Sequence, residues 1–97
     1  MITQSQVDKI KKAVERYNIF HGGESQATII KIEGSKIYVK FEGTFCIACG
    51  ADEYILDLKY ELEDELNCPV KLCLMDLTKL EDYEAEAIFE IEFDKCY

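Results

Sequence analysis

Residues 26–42 read QATIIKIEGSKIYVKFE, and this stretch decides the fold. In its second half Ile37, Val39 and Phe41 alternate with Tyr38, Lys40 and Glu42, the period-two signature of a strand with one buried face. The first half is also strand-like, with Thr28, Ile30 and Ile32 on one face and Ala27 and Ile29 on the other. Between them stands Gly34-Ser35, a two-residue loop with glycine first. That is the pattern of a type II′ hairpin turn, in which glycine takes the positive φ at little cost. An antiparallel hairpin is therefore expected here.

Upstream, Val7, Ile10, Val14 and Tyr17 recur at helical spacing and form one apolar stripe. Thr3 and Gln6 fit a capping box at its start, and Gly22-Gly23 ends it. Downstream, Asp52 is a candidate N-cap, and Ile55, Leu58, Leu62 and Leu66 form a second helical stripe. Asn67 can adopt the left-handed conformation that ends a helix, and Pro69 prevents continuation. PVKLCLMDL then reads as a strand, with Val70, Leu72 and Leu74 on one face and Cys73 and Met75 opposite. TKLEDY is a connector. The last strand, within 84–94, sets Ala85, Ala87, Phe89, Ile91 and Phe93 against Glu84, Glu86, Glu90 and Glu92. Carboxylates along one face mark it as wet, and their repulsion would guard a sheet edge against unwanted pairing. The expectation is one α+β domain over residues 1–97, in the order α-β-β-α-β-β. Two helices would pack on one face of a four-stranded mixed sheet.

The chain has 97 residues, a net charge of −9 and 48% hydrophobic residues, the composition of a globular domain. The charge is uneven: residues 50–97 carry fifteen acidic and four basic side chains, residues 1–49 five acidic and seven basic. Nucleic acid needs a basic footprint, so this balance argues against it. The acidic half would suit a basic protein partner or serve as a solvated surface. There is no run of about 20 apolar residues to span a membrane. MITQSQVDKIKK lacks the apolar stretch of an export signal, so a cytoplasmic location with reduced thiols is expected. The usage, rich in Glu, Lys and Ile and poor in Gln, resembles that of hyperthermophiles, whose cytosols tolerate disulfides.

The chemistry sits in GTFCIACG, residues 43–50. Cys46 and Cys49 stand two residues apart, so both sulfurs can turn toward one point. That spacing suits half a zinc site, two corners of an iron–sulfur cluster, or a reversible disulfide. The helix that follows supplies partial positive charge and favours thiolate. Gly43 and Gly50 would permit close backbone approach to a bound group. A metal site needs about four ligands. Cys68 lies at the far end of the second helix, roughly 20 Å or more away. Cys73 reads as a small core residue and Cys96 as part of a mobile terminus. A second copy of the chain is the simplest source of two more thiolates, which implies a homodimer.

His21, the only histidine, reads best as closing the first helix, where an imidazolium is favoured. Glu61, Glu63, Asp64 and Glu65 read as a solvated face rather than a carboxylate metal site. No Ser/His/Asp or Cys/His constellation is visible, so nothing identifies an enzyme.

Five segments then form a pattern: His21-Gly22-Gly23-Glu24, IYVKFEG, Cys46-Ile47-Ala48-Cys49, Ile55-Leu56 and Cys68-Pro69-Val70. In this order residues 17–77 resemble the C-terminal domain of the NifU-type iron–sulfur cluster scaffold proteins. The resemblance implies an α/β domain that binds a labile cluster through Cys46 and Cys49, often bridging two chains, and passes it to or from a partner protein. Two other readings stay open. One is a dithiol oxidoreductase, disfavoured because a thioredoxin-like core needs a crossover where this chain has a tight hairpin. The other is a small interaction module with structural cysteines.

Overall fold

The computed structural model describes residues 2–44 and 51–97. The expected hairpin is present. Strand β1 (Gln26–Glu33) pairs antiparallel with β2 (Lys36–Glu42). Gly34 has φ +60 and Ser35 does not share a positive φ, as a type II′ turn requires. Helix α1 spans Gln4–His21 and opens on the Thr3/Gln6 capping box. Its stripe buries Ile10, Ala13, Val14 and Tyr17. Helix α2 spans Ala51–Leu66 and buries Ala51, Ile55, Leu58, Leu62 and Leu66. It already includes Asp52 in its first turn, so that residue is not the N-cap; its carboxylate still faces the positive end of the helix. Asn67 has φ 55 and ends α2 in the left-handed conformation.

Strands β3 (Val70–Asp76) and β4 (Glu84–Ile91) complete a sheet of order β1-β2-β4-β3. Every neighbouring pair is antiparallel, so the expectation of a mixed sheet is corrected. The reason is topological. β2 and β3 flank α2 in the chain and run the same way, but β4 inserts between them and separates the only pair of strands that a crossover would have made parallel neighbours. The order of main elements is α-β-β-α-β-β, and the described residues add short 3-10 turns at Leu80–Asp82 and Phe93–Lys95. The last strand consequently ends at Ile91. It is also central, so its glutamates guard no edge; β1 and β3 are the edges.

Both edge strands carry a bulge, and each bulge changes a face assignment. In β1 the register shifts between Ile29 and Lys31. Ala27, Ile29 and Ile32 turn to the core and Ile30 is left 51% exposed. In β3 it shifts between Leu72 and Leu74. Leu74 goes outward, 51% exposed, and Met75 joins the core. Cys73 is exposed, not a core residue. A bulge adds one residue to a strand and reverses the alternation beyond it. Both helices cover the face bearing Ile37, Val39, Phe41, Ala85, Ala87 and Phe89, where α1 meets β1 and α2 meets β3.

The thiol expectation also changes: Cys68 and Cys96 form a disulfide. Val70 pairs with Ile91, and the chain beyond β4 keeps following the α2–β3 link. Glu92 N donates to Pro69 O at 2.9 Å and Tyr97 N to Asn67 O at 2.8 Å, which brings Cys96 onto Cys68. The terminus read as mobile is pinned.

Candidate functional site

The segment bearing Cys46 and Cys49 lies outside the described residues, as does Gly50. Its two anchors are described. On one side β2 is followed at once by Gly43, whose φ is +142. A Cβ there would run into the backbone carbonyl of Glu24. Gly43 N also donates to Tyr83 O at 3.0 Å. The glycine thus lets three chain segments meet: the end of β2, the turn after α1, and the turn before β4. Its close backbone approach is to Glu24. On the other side α2 begins, with Glu53 and Tyr54 in its first turn and Asp57 in the next.

Between these anchors and the end of α1 lies a cleft of about 340 Å³, lined by Phe20, His21, Gly23, Glu24, Tyr54 and Asp57 among others. His21 Nδ1 sits 3.1 Å from Tyr17 O, the carbonyl one turn back, and Nε2 sits 3.1 Å from Asp57 Oδ2. Both partners only accept, so an imidazolium satisfies both contacts and a neutral ring only one. The ring also stacks on Tyr17, with centroids 4.3 Å apart. His21 therefore closes α1, as its position suggested, and ties it to α2. The Tyr54 hydroxyl donates to the Glu24 carboxylate. That hydrogen bond, followed by partial burial, raises the Tyr54 phenol above its ordinary pKa. Beneath, the buried Tyr17 and Ser25 hydroxyls are 2.8 Å apart. Burial holds Tyr17 far above the ordinary tyrosine value.

Among the described residues the cleft is lined by the carboxylates Glu24, Glu53 and Asp57, and His21 is already held by Asp57. Among the described residues no cluster of three or more His, Cys, Asp or Glu side chains could hold a metal ion. The carboxylates of α2 have other partners: Arg16 Nη1 lies 3.3 Å from Glu65, Lys12 Nζ 3.7 Å from Glu65, and Lys59 Nζ 3.4 Å from Glu63. Of the stretch expected to be a solvated face only Asp64 is exposed; Glu61, Glu63 and Glu65 are largely covered, and Glu61 and Glu65 pair with α1 across the helix–helix seam. Cys68 and Cys96 hold each other at the opposite end of α2, about 24 Å along a helix of 16 residues. Neither is a free thiolate for a site near Cys46 and Cys49. The meeting of Glu24, Tyr54 and Asp57 was not anticipated from the sequence. Its one local trace is the i, i+3 spacing of Tyr54 and Asp57, which sets both on one face of α2.

Compared with known proteins, the chain matches no protein-family model, no curated protein and no solved structure.

Proposed function

We propose that this protein is an iron–sulfur cluster carrier or assembly protein that takes up its cargo through Cys46 and Cys49. The observation that carries this reading is the C-x-x-C pair placed directly before the N-terminus of α2, where partial positive charge favours the thiolates a cluster needs. The disulfide at the far end of α2 sharpens the requirement. With Cys68 and Cys96 engaged, a four-thiolate site draws its second pair from another copy of the chain. A cluster shared by two chains is released when they part, which suits a carrier that accepts from a donor and delivers to a recipient protein. The exposed acidic surface is the natural contact for a basic partner.

Anaerobic incubation with ferrous iron and sulfide tests this. The expected result is a visible absorbance band, two chains per cluster, and loss of both in Cys46→Ser and Cys49→Ser. Folded protein that stays colourless overturns the reading.

One observation favours a second reading, an interaction module. The sheet face away from the helices carries Tyr38, Ile88 and the half-exposed Leu74 side by side. Self-association or partner binding that survives Cys46→Ser and Cys49→Ser supports it.

A further inference from the structure

The strand pairings lay out the uncovered sheet face as rows that run across β1, β2, β4 and β3. One row is Lys31, Tyr38, Ile88, Leu74. On one side of it lies the row Glu33, Lys36, Glu90, Lys71; on the other lies Thr28, Lys40, Glu86, Asp76. A mainly apolar band therefore crosses the face between two charged bands. Within the charged bands β2 is basic, with Lys36 and Lys40, and β4 is acidic, with Glu90 and Glu86. The three rows set four lysines against four carboxylates, so within a chain of net charge −9 they present a balanced surface to a second copy.

We propose that this face binds a second copy of the chain, sheet against sheet, about a two-fold axis parallel to the strands. Such an axis keeps each row at its own level and exchanges left for right, so β2 lies over the partner's β4 and β1 over its β3. Lys36 then meets Glu90 of the partner subunit, and Lys40 meets Glu86 of the partner subunit. Tyr38 packs on the partner's Ile88. At the margins Glu33 faces the partner's Lys71. A two-fold axis running across the strands does the opposite: it sets Lys36 over the partner's Lys40 and Glu90 over the partner's Glu86. The charge pattern therefore selects one orientation of the two, and a like-charge pair excludes the other. The row Glu42, Glu84 at the end of the face is acidic in both copies. Lys40 Nζ already lies 3.1 Å from Glu84 and 3.7 Å from Glu42 and offsets that charge. Packed sheets also rotate by about 30°, which carries end rows apart.

The face is about 20 Å across four strands and about 23 Å along seven residues. That is small for a permanent interface, so the dimer is reversible and forms at high concentration. The axis also sets both copies of Gly43, where β2 hands over to the cysteine-bearing segment, at one end of the dimer. The inference needs neither the cysteines nor a metal, so it stands or falls apart from the cluster reading.

The same lysines and glutamates are cross-strand neighbours inside one sheet, so the experiment must separate contacts within a chain from contacts between chains. Two variants of the full chain, prepared without iron, do this by sedimentation equilibrium. One is Lys36→Glu/Lys40→Glu, with both central strands acidic. The other is Glu86→Lys/Glu90→Lys, with both basic. Each alone faces like charge across the axis and should self-associate at least tenfold more weakly than the parent. Mixed in equal amounts, each presents what the other needs, and the heterodimer should form in the parent's concentration range. A mixture no more associated than its components overturns the proposal, as does a parent that stays monomeric at millimolar concentration. Leu74→Lys is the control should a charge variant fail to fold. This side chain points away from the core on an edge strand, so the fold survives and the dimer should be lost; an unchanged dimer overturns the proposal.

Discussion

Tyr17 lies wholly out of solvent, and its hydroxyl has Ser25 Oγ at 2.8 Å. Removing the hydroxyl leaves Ser25, itself buried, without that partner. Tyr17→Phe should therefore cost about 1–2 kcal/mol, a fall in Tm of about 5–10 °C. The same residue sets an alkaline limit. Its folded pKa is raised, chiefly by burial, above the unfolded value of about 10. The neutral phenol is the form that folding favours. Its contribution is therefore whole below pH of about 10 and is lost as pH rises above it, because the unfolded chain gives up the proton first. Urea unfolding from about pH 9 to pH 11 should show the parent losing stability more steeply than Tyr17→Phe. Equal slopes would show that Tyr17 is not protected. The glycines at this scale separate two effects. Gly34 has φ +60 with open space around it, whereas Gly43 has φ +142 and abuts the Glu24 carbonyl. Gly34→Ala should cost about 1–2 kcal/mol for the backbone alone. Gly43→Ala should cost more, measured as a larger drop in the denaturation midpoint.

At the scale of elements, what the sequence made legible was regular repetition. The two helical stripes, the Thr3/Gln6 cap and the Gly34-Ser35 turn were each marked by local residues whose physics does not depend on distant neighbours. What it hid were the points where regularity breaks. A bulge at Ile30 or Cys73 has no residue signature here, since both are ordinary strand formers, and yet each reverses every face assignment beyond it. The sheet order was hidden for another reason: alternation says which side a strand buries but not which strand it lies beside. The candidate site was half legible. The role of His21 at the end of α1 could be read, and the C-x-x-C pair lies outside the described residues; the approach of Glu24 and Tyr54 depends on how the two helices pack. The bulge makes a prediction. In a Cys46→Ser/Cys49→Ser chain, iodoacetamide under native, non-reducing conditions should modify Cys73 alone, read as a single mass increment. An unreactive Cys73 would return it to the core and remove the bulge with it.

For the molecule as a whole, the disulfide joins the two ends of its C-terminal third. Cys68 and Cys96 are 28 residues apart, and between them lie both β3 and the central strand β4. Closing a loop of that length restricts the unfolded chain and stabilises the fold by about 3–4 kcal/mol in the chain-entropy account. Cys68 is buried and Cys96 exposed, so a reductant can reach the bridge from the Cys96 side without prior unfolding. Because β4 is paired on both sides, strain or fraying at its end is shared by the sheet rather than confined to a tail. Cys96→Ser should therefore lower the stability of the whole cooperative unit by about 3–4 kcal/mol, seen as one transition moved to lower denaturant with no new phase. Treating the parent with a thiol reductant should reproduce that shift, and treating Cys96→Ser should add nothing to it. Two transitions in the reduced protein, one lost early and one unchanged, would mean that the C-terminal strand pair folds apart from the hairpin and helices. The central place of β4 in the sheet argues against that division.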